Sequence, residues 1–101
     1  MAEVIWTTSA LNEVNEIAEY IALSHTFAAK KLVQKIFNTV SRLESHPESG
    51  KKPPELTNSN YREVIVNPCR IFYKFEQDNV YILHVMRQEG DLRKFFLKSE
   101  A

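Results

Sequence analysis

The residues best equipped for chemistry in this chain are three arginines, Arg62, Arg70 and Arg87, together with Tyr73 and His84. Metal-free cleavage of an RNA phosphodiester needs a base for the ribose hydroxyl and an acid for the leaving oxygen. It also needs cations for the charge that builds on the phosphorane. Arginines gathered on one sheet face would supply the cations, and the phenol or the imidazole would move the protons. A plainer reading stands beside this one. Strand arginines mostly lie at solvated edges or pair with carboxylates, here Glu63 and Glu76. Tyr73, within Ile71-Phe72-Tyr73-Lys74-Phe75, reads as half-buried sheet packing. His84, within Ile82-Leu83-His84-Val85, reads as a satisfied sheet histidine. Catalysis further demands partners that converge in space.

Other chemistries find little support. The chain has two glycines, so neither a phosphate-cradling loop nor a dinucleotide fingerprint is present. His25, His46 and His84 fall in different candidate elements, which argues against a metal site. Cys69, the one cysteine, reads as a small strand hydrophobe rather than a nucleophile. No cofactor is expected. With 13 basic and 13 acidic side chains the formal net charge is zero. A protein that grips naked nucleic acid normally carries a basic excess, because each neutralised phosphate releases a counterion.

The elements that must position these residues follow from pattern. At 101 residues the chain is expected to be a single domain, 1–101. Glu3 to Thr7 reads as a short strand, and Thr7, Thr8 and Ser9 offer helix-capping oxygens. Leu11, Val14, Ile17, Ala18, Ile21 and Ala22 recur at helical spacing from about Ala10 to Leu23. Asn12, Glu13, Asn15, Glu16 and Glu19 are expected on the solvated side. Ser24-His25-Thr26 caps a second helix, whose stripe runs from Ala29 to Leu43 and whose polar residues are mainly basic: Lys30, Lys31, Lys35 and Arg42. Such a pair predicts an antiparallel hairpin with attraction between an acidic and a basic helix. A polar loop spans about Ser45 to Asn60, punctuated by Pro47, Gly50, Pro53 and Pro54. The period then changes to two. Tyr61–Val66, Arg70–Phe75 and Val80–Met86 are strands, joined by turns at Asn67-Pro68 and Gln77-Asp78-Asn79. Asp91 to Leu97 forms a last strand or a helical turn. The fold class is therefore α+β: a strand, a helical hairpin, then an antiparallel three-strand meander with the helices on one sheet face. Pattern alone leaves the strand order open.

In this order the chain resembles the RelE/ParE toxin family, in its ParE branch, over nearly its whole length. The resemblance rests on Ile5-Trp6-Thr7-Thr8 and on Leu11 to Ile21 ending in Ala18-Glu19-Tyr20-Ile21. It continues through His46-Pro47-Glu48-Ser49-Gly50-Lys51 and Pro54-Glu55-Leu56. Tyr61-Arg62-Glu63-Val64, Arg70-Ile71-Phe72-Tyr73 and Val80 to Val85 with Arg87 complete it. Cys69 stands where the family commonly shows an aromatic residue.

The resemblance implies the toxin of a type II toxin–antitoxin pair, neutralised in a hetero-oligomer by a cognate ParD-like antitoxin. It implies one of two targets. ParE-like members inhibit DNA gyrase by binding it as a protein. RelE-like members cleave messenger RNA on the ribosome, and are strongly basic with a tyrosine or histidine near the C-terminus. Zero net charge and the tail Asp91-Leu92-Arg93-Lys94-Phe95-Phe96-Leu97 point to the gyrase-binding branch, with no catalytic residues and no specific DNA contact by the toxin alone. Arg87, Arg93, Lys94 and Phe96 are then the expected target-binding residues. The ribonuclease alternative would use Arg62 and Arg87 for phosphate and Tyr73 or His84 for proton transfer. One cysteine, no signal-peptide pattern and no membrane-spanning stretch lead to the expectation of a cytoplasmic protein without a membrane partner.

Overall fold

Thr7 ends the first strand and begins the first helix. Its extended backbone lets its hydroxyl accept the Ala10 N–H, closing the helix N-terminus. The same hydroxyl donates to the Ile82 carbonyl at 2.7 Å, so this cap also ties the helix to the sheet. The computed structural model describes residues 1–89. Its order is β1 (Glu3–Trp6), α1 (Thr8–Ala22), α2 (Thr26–Ser41), β2 (Tyr61–Val66), β3 (Cys69–Glu76) and β4 (Asn79–Arg87). Single 3₁₀ turns at Arg42–Glu44 and Pro54–Leu56 punctuate the connection from α2 to β2. His25 caps α2, its Nδ1 accepting the Ala28 N–H.

The meander and the hairpin stand as the pattern predicts. The sheet order, open on pattern alone, is β1-β4-β3-β2, with β1 parallel to β4 and the other pairs antiparallel. Gln77 and Asp78 both take positive φ, the conformation that suits a tight two-residue hairpin turn. Asn79 accordingly belongs to β4 and not to the turn.

The main core lies between the hairpin and one sheet face. Ala10 and Val14 of α1 and Leu32, Ile36 and Val40 of α2 pack on Ile71, Tyr73, Val80, Ile82 and Val85. A second, smaller cluster on the far face sets Phe72 and Met86 beneath Leu56. Some expectations change. Tyr73 is fully buried rather than half-buried. Glu76 pairs with Lys74 at 3.3 Å rather than with an arginine. Glu13 leaves the solvated side of α1. It sits three residues from Ala10 and four from Ile17, at the margin of the buried stripe, and reaches the sheet. Among the described residues no ion pair joins α1 to α2.

Candidate functional site

The three strand arginines do not share a face. Arg62 is paired in register with Tyr73, and Arg87 with Cys69, so both belong to the helix side. Arg70 lies on the far side with Phe72. Arg62 and Arg87 are four β3 residues and two strand spacings apart, roughly 16 Å along and across the sheet. One phosphate cannot bridge that span.

Each arginine is also engaged. The Arg62 guanidinium donates to the carbonyls of Gly50 at 2.9 Å and Glu48 at 3.2 Å, with the Glu48 carboxylate at 3.7 Å. Arg87 pairs with Glu89 at 3.0 Å at the exposed end of β4. Arg70 is buried between two carboxylates, Glu55 at 2.6 Å and Glu63 at 2.8 Å, and lies 4.7 Å over the Phe72 ring. The hydrogen bonds it donates to Glu55 outweigh desolvation and push the guanidinium pKa up, so its charge is fixed. This cluster fastens the Pro54–Leu56 turn onto the sheet. Its Glu63 arm is legible from period two, since Glu63 and Arg70 are diagonal neighbours across β2 and β3. Its Glu55 arm comes from the loop, where no periodicity exists to place it.

Tyr73 is held in the same way. Its hydroxyl donates to the Pro47 carbonyl at 2.8 Å and accepts the Gly50 N–H at 2.9 Å. Burial pushes the phenol pKa up, against smaller lowering effects of the Gly50 N–H and the Arg62 charge. A sequestered phenol with both hydrogen-bonding roles filled is an anchor for the loop rather than a proton donor to a ligand. His84 Nδ1 lies 3.3 Å from Glu13, whose carboxylate also accepts the Val85 N–H at 3.0 Å. There β1 has ended, and the register shift at Phe72/Tyr73 leaves Leu83 as an extra residue in β4. Glu13 thus satisfies a strand edge that has lost its neighbour. Burial raises its pKa, partly offset by the Val85 N–H and His84.

Of the four residues of the ribonuclease alternative, Arg62 and Tyr73 meet at the Gly50 loop, while His84 lies against Glu13 and Arg87 against Glu89. Of the expected target-binding set, Arg87 is exposed at the end of β4; Arg93, Lys94 and Phe96 lie outside the described residues.

The apolar surplus of both helices leaves an apolar groove of about 430 Å³ along the outer side of the hairpin. Ala18, Ala22, Ala29 and Val33 form its floor, with Glu19 on the α1 rim and Lys30 on the α2 rim. Phe37, four residues beyond Val33 on α2, packs instead on Trp6, with ring centroids 4.8 Å apart. The signal was available: the apolar positions of each helix cover more of the circumference than one buried face requires. Among the described residues, no cluster of three or more His, Cys, Asp or Glu side chains could hold a metal, and no helix is long and apolar enough to cross a membrane.

These features match known proteins. The chain is 28% identical over 87 residues to a protein named Toxin RelE2 from Caulobacter vibrioides, covering 86% of this chain and 92% of that one. Its fold is that of a chain in the chromosomal ParDE toxin–antitoxin system from P. aeruginosa, with a TM-score of 0.72 at 21% identity over 88% of this chain and 98% of the other. A chain of the toxin–antitoxin complex RelBE2 from Mycobacterium tuberculosis is similar at a TM-score of 0.56, 19% identity, and 86% and 98% coverage. The family described as the ParE toxin of the type II toxin–antitoxin system parDE matches residues 4–92. With that match spanning most of its length, the chain belongs to the ParE toxin family of type II toxin–antitoxin systems.

Proposed function

We propose that this toxin arrests growth by binding DNA gyrase as a protein partner, without turnover of its own, and that a ParD-like antitoxin neutralises it. The observation that carries the reading is that Arg62 and Tyr73 are both spent on holding the Gly50 loop, while His84 and Arg87 lie apart from them against Glu13 and Glu89. A ribonuclease would need them convergent and available. Zero net charge supports the same reading, because a neutral toxin forgoes most of the counterion-release term on an RNA target. Antitoxin capture is supported by the uncovered apolar groove on the hairpin, where a segment of the antitoxin could order. The gyrase contact is assigned to Arg87, Arg93, Lys94 and Phe96.

The test is a supercoiling assay beside an in vitro translation assay on one preparation. Gyrase is expected to lose supercoiling at stoichiometric toxin while translation continues. Intact supercoiling together with cleaved message would reverse the assignment. Alanine at Arg87 or Phe96 is expected to weaken inhibition, with circular dichroism checking that each variant folds.

One observation favours the second reading, a ribosome-dependent messenger RNA endoribonuclease. Glu48, Lys52, Asn60, Arg62 and Phe75 line a concavity of about 260 Å³, offering two cations and a ring beside one carboxylate. In that case Arg62→Ala or Arg87→Ala would abolish message cleavage.

A further inference from the structure

We propose that the free toxin pairs with a second copy of itself through the outer face of the hairpin, α1 of each copy lying along α2 of the other. The proposal stands on charge as well as on exposed apolar surface. Helix α1 carries Glu13, Glu16 and Glu19 and no base; α2 carries Lys30, Lys31 and Lys35 and no acid. Glu13 is turned to the sheet, which leaves Glu16 and Glu19 exposed on the acidic helix. Glu19 and Lys30 flank the apolar groove on opposite rims, and among the described residues neither has an ionic partner. The groove therefore presents a negative rim, an apolar floor and a positive rim.

A two-fold axis parallel to the helices makes this surface complementary to itself. It sets Glu19 against Lys30 of the partner subunit, and Lys30 against Glu19 of the partner subunit. A two-fold axis across the helices would set acid on acid and base on base, so the charges select one arrangement. The alanine floor, with Val33 beside it, lets the helices approach closely.

The area sets the strength. Two helices of this length, about 22 Å long and about 10 Å apart, present roughly 400 Å². That is about half of what each partner contributes to a standard stable interface. The dimer is therefore weak and concentration-dependent. It also occupies the face proposed above for the antitoxin, so antitoxin binding and self-pairing exclude one another. Self-pairing is tested without antitoxin, so it stands or falls apart from that reading.

The experiment is sedimentation velocity on the full chain alone, across a concentration series at low and high salt. A monomer–dimer equilibrium that weakens with salt is expected. Glu19→Lys and Lys30→Glu, both at exposed positions, should each weaken association about tenfold, since two attractive contacts become repulsive. Mixing the two variants should give a heterodimer, and the double variant should pair as the original does. Circular dichroism confirms that each variant folds. A chain that stays monomeric throughout the series would overturn the proposal. So would dimers indifferent to both reversals, or single variants that fail to associate on mixing.

Discussion

Tyr73 and Gly50 are built around each other. The Tyr73 hydroxyl accepts the Gly50 N–H, and a β-carbon at position 50 would come within 2.5 Å of that oxygen. It would also lie 2.7 Å from Tyr73 Cε1 and 2.8 Å from the Glu63 carbonyl. Gly50 is therefore required by close approach and not by a left-handed backbone, since no glycine among the described residues has positive φ. Gly50→Ala is expected to destabilise by about 1–3 kcal/mol, the cost of overpacking a filled site. Urea unfolding measures it. Adding Tyr73→Phe should not rescue the variant, because the ring carbon and the Glu63 carbonyl remain in place.

Tyr73→Phe alone removes one hydroxyl that serves two loop groups. The Gly50 N–H and the Pro47 carbonyl then lose their partner beside the core. A loss of about 1–3 kcal/mol is expected, the cost of unsatisfied buried groups. The gyrase inhibition proposed above should be unchanged per folded molecule. A drop in inhibition per folded molecule would instead give the phenol a direct role.

Arg70→Met should be the most damaging change on the far face. It leaves Glu63, 2% exposed, as a buried charge without its cation. The expected cost is about 3–5 kcal/mol, as for a broken buried pair. Combining it with Glu63→Leu should recover only part of the loss, since the Glu55 carboxylate, 2.6 Å from Arg70, still lacks its cation. Thermal unfolding of the single and double variants makes the comparison.

Glu13 predicts a dependence on pH. Its carboxyl is held above the ordinary glutamate value of 4.5, chiefly by burial. Between that value and its folded one, the native state holds more proton at this site than the unfolded chain does. The stability linked to Glu13 is therefore full below pH 4.5 and falls as pH rises through the folded value. Glu13→Gln should flatten this part of the profile. Denaturant unfolding from pH 4 to about 7 measures the difference between the two proteins. An unchanged slope would remove Glu13 as its source.

The secondary structure was legible because each element carries its own period. The stripe of α1 and the alternation in β2, β3 and β4 needed no tertiary information. The hairpin cover over one sheet face followed from them. The place of β1 did not, because a four-residue strand can pair at either sheet edge and its sequence favours neither. The contacts of Glu13 and Glu55 were hidden for a related reason. Both are single polar residues whose partners lie far along the chain, and helical or loop spacing records only near neighbours. The candidate chemistry at Arg62, Tyr73 and His84 was visible as residue types. Their assignment to anchoring contacts needed the loop around Gly50 and the strand edge beyond β1 in three dimensions.

The parallel pairing of β1 with β4 also sets a schedule for synthesis. The Thr7 hydroxyl finds the Ile82 carbonyl across a sequence separation of 75 residues. No earlier segment supplies that edge, and pairings so distant form late. The growing polypeptide therefore stays unfinished until most of it has left the ribosome.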